Sequence, residues 1–222
     1  MSISAKKKPG DFVYAPPPGD LAVLHQDDRL LLIDKLAGLL SVPGKGAGLA
    51  DCAEARLGAR FAGARLVHRL DMDTSGVMVF ARDRAAQRHL GLQFERRQVA
   101  KTYVARVSGR VAGEAGEIDL PLIADWPNRP LQKVCHDKGR PALTRWRVLA
   151  RGPGGTTRLL LTPLTERSHQ LRLHLAAIGH PIIGDRFYGG APAARLMLHA
   201  TRLEFHHPED GARRGFDSPC PF

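Results

Sequence analysis

The chain has only three cysteines in 222 residues, Cys52, Cys135 and Cys220, far apart and without a C-x-x-C pair. Neither a disulfide framework nor a zinc site is indicated, and three reduced thiols are expected. It also lacks any run approaching the roughly 18 apolar residues that a membrane span needs. The start, Met1-Ser2-Ile3-Ser4-Ala5-Lys6-Lys7-Lys8, has no apolar stretch behind its charges, so no signal peptide is read and a cytoplasmic location is expected. Other absences exclude chemistries. His169 and His174 are five apart with no Glu between them, unlike a helical metal pair. Pro43-Gly44-Lys45-Gly46-Ala47-Gly48 is glycine-rich but lacks the G-x-x-x-x-G-K-[ST] arrangement that cradles phosphates, and no G-x-S-x-G offers a serine nucleophile. No internal repeat is present.

What is present is basic charge. Thirty-three Lys and Arg against 22 Asp and Glu give a formal net charge of +11. Such an excess favours a polyanionic partner, because each neutralised phosphate releases condensed counterions; charge alone is equally compatible with plain solubility. With 43% hydrophobic residues the composition is that of an ordinary globular protein, and one catalytic domain over 21–222 is the simplest organisation. Residues 1–20 combine lysines with Pro16-Pro17-Pro18-Gly19 and read as a flexible basic, proline-rich arm.

Leu21–Leu24 and Leu30–Asp34 read as two strands joined by a polar turn at Gln26-Asp27-Asp28. A glycine-rich loop follows from Gly38 to Gly48. Ala50–Ala59 has helical composition, Gly76–Ala81 is a buried-strand run, and Asp83–Arg97 reads as a helix capped by Asp83. Further strands are predicted over Thr102–Val107, Thr144–Leu149, Thr157–Leu161 and Leu196–His199. His169–Ile178 alternates like a strand at Leu171, Leu173 and Leu175 but is taken as a helix because Gly179-His180-Pro181 is a strong stop. The expected fold is therefore α+β, a mixed, largely antiparallel sheet with flanking helices. His206-His207 reads as ordinary surface.

Two segments carry chemistry. In His68-Arg69-Leu70-Asp71-Met72-Asp73-Thr74-Ser75-Gly76 a charged cluster lies between apolar stretches, as expected for a loop tied down at both ends in the core. By themselves Asp71 and Asp73 could be plain turn residues. Leu164-Thr165-Glu166-Arg167-Ser168-His169-Gln170-Leu171-Arg172-Leu173-His174 packs two arginines and two histidines into one stretch, which alone could be a solvated basic face.

Together with Lys101-x-Tyr103-x-Ala105 and Gly179-His180-Pro181-Ile182-x-Gly184-Asp185, in this order, these segments resemble the RluA-type pseudouridine synthase family. The resemblance runs from about Leu21 to the C-terminus. Asp119–Pro130 and Gln132–Cys135 are most similar to the subfamily called ribosomal large subunit pseudouridine synthase A, which acts on rRNA and tRNA. The resemblance implies an isomerase that turns uridine in RNA into pseudouridine, with 23S rRNA and a tRNA anticodon loop as partners, no cofactor or metal, and a monomeric state. It implies that Asp71 is the essential carboxylate, that Tyr103 lies against the target base, and that Arg172 pairs with Asp71. Arg69 is expected to fill the gap left by the flipped base, with His68, Lys101, Arg167 and His169 among the other RNA contacts. Glu166 stands where a glycine is usual, and Leu36 where proline is more typical. Two rivals remain: an RNA-binding or ribosome-assembly protein with an inactive synthase fold, and a glycosidase using Asp71 and Asp73 as paired carboxylates.

Overall fold

Where apolar residues fill consecutive positions a strand must be covered on both faces, and where they alternate one face stays wet. The computed structural model, which describes residues 13–222, follows this rule from its centre to its edge. β1 (Ala22–Gln26) and β2 (Leu30–Lys35) form the expected hairpin. Its turn is closed by Asp27, whose carboxylate accepts from the amides of Arg29 and Leu30 at 2.8 Å each. α1 (Ala53–Arg60), the two-residue β3 (Arg65–Leu66) and β4 (Ser75–Ala81) follow, every residue of β4 being buried. α2 (Arg84–Glu95) starts where predicted, with the Asp83 carboxylate accepting from the Ala86 amide at 2.8 Å. β5 (Ala100–Ser108), β6 (Ala115–Asp119), β7 (Leu122–Ala124), β8 (Gln132–Val134), β9 (Leu143–Gly152) and β10 (Thr156–Pro163) then succeed one another without an intervening α-helix. α3 (Gln170–Ala177), β11 (Leu198–His206) and β12 (Arg213–Asp217) complete the chain, and α3 is the helix that the stop signal indicated.

Ten strands make one sheet in the order β1-β2-β4-β11-β5-β10-β9-β6, with β12 on β11 and β3 on β4, while β7 and β8 pair as a separate hairpin. All described pairings are antiparallel except β4 with β11. The expected α+β class is thus the observed one. Two hydrophobic clusters flank this junction: one joins β1, β2 and β4 to α1 and α2, the other joins β5, β10 and β11 to α3. Tyr103 packs against both.

Residues 1–12 of the expected arm lie outside the described residues. Residues 13–20 are fastened rather than free: the Tyr14 hydroxyl donates to the Asp51 carbonyl and accepts from the Leu40 amide, and Arg56 donates to the carbonyls of Pro17 and Gly19. His207 also departs from expectation. It is buried, with Nε2 3.1 Å from the Asp27 carboxylate, a partner 180 residues away that no local pattern could reveal.

Gly76 locks the centre of the sheet. It has φ +119, and a Cβ there would lie 2.2 Å from the Ala200 carbonyl oxygen, at the parallel register Ala200↔Gly76. Only glycine lets β4 and β11 meet so closely at the end of the Asp71 loop. Gly76→Ala is expected to destabilise the fold by about 3 kcal/mol or more, since overpacking adds to positive-φ strain. Urea unfolding measures it, and a loss below about 1 kcal/mol would show that the seam yields.

Candidate active site

The loop between β3 and β4 is clamped through its backbone, which leaves the Asp71 side chain to face outward. Ser41 Oγ donates to the Leu70 carbonyl at 2.7 Å and accepts from the Leu70 amide at 3.1 Å. The Thr74 amide donates to the Asp71 carbonyl at 3.1 Å. The Met72 carbonyl accepts from the Gly38 amide and from Lys35 Nζ, both at 2.9 Å. Lys35 is wholly buried at the end of β2, and its other two N–H groups go to the carbonyls of Leu36 and Leu39. Burial pushes its pKa down to about 7, opposed by Asp73 and Asp71. The loop therefore hangs on a buried ammonium with all three donors used.

Opposite stands α3. Its third residue, Arg172, is 2% exposed and presents its planar fork to Asp185: Nε donates to Oδ2 at 2.7 Å and Nη2 to Oδ1 at 2.8 Å. The remaining Nη1 reaches Asp71 Oδ2 at 3.4 Å. The expected Asp71–Arg172 pairing exists, but Asp185 holds the two short bonds. Asp185 also accepts from the amides of Phe187 and Tyr188 at 2.9 and 3.2 Å. Burial would raise its pKa, and Arg172 together with these amides reverses that and holds it below the usual carboxylate range. Burial likewise works against the Arg172 charge, yet Asp185 and Asp71 raise its pKa. Asp73 is engaged separately by Arg186 at 3.1 Å.

His169, at the start of α3, has φ 56, a conformation that costs a non-glycine residue on the order of 1–2 kcal/mol. Its Nδ1 lies 2.9 Å from the Tyr188 hydroxyl and its Nε2 4.0 Å from Asp71 Oδ2. Burial lowers its pKa against the pull of Asp71, so the neutral ring prevails at physiological pH. The turn before it is held by buried Gln170, whose Oε1 accepts from Thr165 Oγ1 and the Arg167 amide while Nε2 donates to the Leu143 carbonyl and to Thr144 Oγ1.

A cavity of about 120 Å3 lies between these elements, lined by Asp71, Tyr103, Arg172, Arg69, Lys101, Arg167 and His169. Lys101 is buried, sits over the Phe94 ring at 4.5 Å and pairs with Glu166 at 2.5 Å. The residue that departs from the usual glycine is thus the counter-ion of a buried lysine. Burial raises the pKa of Tyr103 well above its ordinary value, with Glu166 and Asp71 adding to the effect, so its ring is offered as a neutral face. His68, expected among the RNA contacts, does not line the cavity. It stacks on Phe94 with centroids 4.6 Å apart and accepts from the Val79 amide at 3.1 Å. Burial and nearby Lys101 keep it neutral, as an acceptor bracing the loop.

Asp185, Lys35, Gln170 and Tyr188 were not assigned roles from the sequence. Asp185 stood in a recognised segment, whereas Tyr188 carried no signal. Among the described residues no group of His, Cys, Asp or Glu is arranged to hold a metal ion, and no helix is long and apolar enough to cross a membrane. All three cysteines are free thiols.

Comparisons with known proteins agree with this geometry. The family described as RNA pseudouridylate synthase matches residues 29–177. Among curated proteins, the Dual-specificity RNA pseudouridine synthase RluA of Yersinia pestis is 49% identical over 206 residues, covering 91% of this chain and all of that one. The protein of the same name from Escherichia coli K12 is 48% identical over 214 residues, covering 94% and 98%. Among solved structures, Human RNA Pseudouridylate Synthase Domain Containing 1 superposes with a TM-score of 0.77 at 29% identity, covering 93% of this chain and 87% of that one.

The Arg172–Asp185 fork generates a prediction with a sign. Because the Asp185 pKa is lower folded than unfolded, the pair's stabilisation is complete above the unfolded value of about 4 and is lost as pH falls through the folded value. Asp185→Asn should lose about 3–5 kcal/mol at neutral pH by leaving a buried guanidinium without its fork partner. Its stability should also fall less steeply between about pH 5 and 2. Denaturant melts across that range test both, and a curve parallel to the parent's would remove Asp185 from the argument.

Proposed function

The chain belongs to the RNA pseudouridylate synthase family and is an isomerase that converts uridine in RNA to pseudouridine; we propose that Asp71 is its essential carboxylate, with targets in 23S rRNA and in a tRNA anticodon loop. The observation that carries the assignment is the division of labour around Arg172. Asp185 closes its fork in the interior, whereas Asp71, 30% exposed, receives only the third contact and remains open to the cavity. A carboxylate so placed faces a fixed guanidinium without being saturated by it.

A stacked uridine cannot reach this cavity, so it is flipped out at a cost of a few kcal/mol. The Tyr103 ring recovers part of that by stacking and Arg69, exposed at the rim, by filling the vacated space. Lys101, Arg167 and His169 complete the contacts. Asp71 then either attacks ribose C1′ or takes the C2′ proton. In both routes the C1′–N1 bond breaks with its electron pair leaving on the uracil. The base turns and C5 bonds to C1′ as the Asp71–C1′ bond breaks with its pair returning to the carboxylate or, in the other route, as the proton held by Asp71 returns to C2′; the C5 proton departs and N1 gains one, so RNA mass is unchanged. A glycosidase would instead release uracil, and the engagement of Asp73 by Arg186 leaves no second free carboxylate for it.

Two RNA targets are supported by the dual specificity in the names of relatives 48–49% identical over almost their whole length. We further propose a cytoplasmic monomer in which residues 21–222 form the catalytic domain. Asp71→Ala should keep its melting temperature and RNA affinity yet lose at least about 10³-fold in turnover, followed as tritium release from uracil C5. Near-parental release would sink the assignment. Arg172→Lys, a point charge in place of a fork, should lose roughly 100-fold in kcat; equal turnover would show that pairing geometry is irrelevant. Mapping pseudouridines by carbodiimide stops in both RNAs of a deletion strain tests the targets.

A further inference from the structure

Beside the catalytic cavity lies a second cleft of about 290 Å3. One wall is apolar, formed by Leu122, Ile123 and Ala124 of β7, and Gln132 of β8 and Ser168 add hydrogen-bonding groups. It shares Glu166 and Arg167 with the catalytic cavity, so the two are neighbours across a single turn. The β7–β8 hairpin is also tied to the catalytic centre: the Gln132 amide donates to the Tyr188 hydroxyl at 3.0 Å, and that hydroxyl bonds His169 Nδ1.

The rim is cationic and unneutralised. Arg140 and Arg167 line the cleft, and Arg97 stands three residues beyond Phe94, the ring beneath Lys101. Burial lowers the pKa of Arg167, and repulsion from Arg140 and Arg97 lowers it further. Among the described residues none of these three forms an ion pair. The adjoining acid, Glu166, is committed to Lys101. Arg97 moreover has φ 56, just past the end of α2, where glycine is the unstrained choice. Two arginines lining the cleft, with a third near enough to repel Arg167 and no acid paired to any of them among the described residues, suit an anionic ligand.

We propose that this cleft is a second nucleotide subsite: a base adjoining the target uridine lies against the Leu122–Ala124 wall with its edge towards Gln132 and Ser168, and its phosphate is held by Arg140, Arg167 and Arg97. The proposal rests on the RNA-isomerase reading and deepens it, since an enzyme with two RNA targets needs a short feature common to both, and unstacked single-stranded bases are what proteins read in RNA.

The test uses synthetic stem-loops in which one nucleotide near the target uridine is abasic, with binding and turnover measured separately. For the parent, one abasic position should raise Kd and KM about tenfold. In Ala124→Phe, which fills the cleft, that position should no longer matter. Equal sensitivity of parent and Ala124→Phe at every position overturns the proposal. Arg97→Gly, alone and with Arg140→Ala, provides a second arm on exposed residues that tolerate exchange. Arg97→Gly should raise the melting temperature while raising KM several-fold at unchanged kcat. The double variant should shallow the salt dependence of binding by roughly 0.7 per phosphate contact removed. A parental salt slope and KM in the double variant would also overturn the proposal. A parent that shows the position effect on binding but leaves uridine unchanged would instead overturn the isomerase reading alone.

Discussion

The buried guanidinium of Arg172 is the interaction around which the catalytic half of the molecule is built. Removing such a charge from water costs several kcal/mol, which only a well-aligned counter-charge with its lone pairs satisfied can offset. Asp185 meets that demand through two short bonds and two backbone amides. At 3.4 Å the contact to Asp71 is of the order of a few kcal/mol at an effective dielectric near 20, and it is too long to immobilise the carboxylate. Had Asp71 taken the fork itself, the reactive group would have been the buried and saturated one.

That arrangement draws on two hydrophobic clusters of one sheet. The Asp71 loop belongs to the cluster around β2, β4 and α1, and Arg172 belongs to the cluster around β5, β10 and α3. The halves meet where β4 and β11 run parallel at Gly76 and where Tyr103 packs on both sides. The cavity lies at this seam, between two cores that hold its walls apart.

The degree to which this was legible depends on how local the cause is. Asp83 capping α2, the unbroken apolar run of β4 and the stop after α3 act within one turn or one strand, and each element was found. β6, β7, β8 and β12 are only three to five residues long, too short to show a clear apolar alternation, so no periodicity announced them. Linear segments named Asp71, Tyr103 and Arg172 through resemblance, but spacing could not say that Asp185 takes the fork. Nor could it show that Lys35, a charged residue at a strand end, is the wholly buried tether of the Asp71 loop. His68, placed among the RNA contacts by the resemblance, stacks on Phe94 away from the cavity lining, a partner 26 positions on that no local pattern indicates.

Charge distribution links these details to the proposed reaction. The chain carries +11 overall, but its reacting centre does not share that excess: Asp71, Asp73 and Asp185 are matched by Arg172, Arg186 and Lys35, and neutral His169 adds no charge. Lys101 and Glu166 cancel at the edge. Arg69 and Arg167, which form no ion pair among the described residues, line the same cavity. A balanced centre offers a phosphate no net attraction, whereas the cavity-lining arginines do. In the proposed reaction this contrast favours the register in which the base and its sugar, rather than a phosphate, come to Asp71. Glu166 serves the same end, because it neutralises Lys101 and leaves Arg69 and Arg167 as the cavity-lining cations without an ion pair among the described residues.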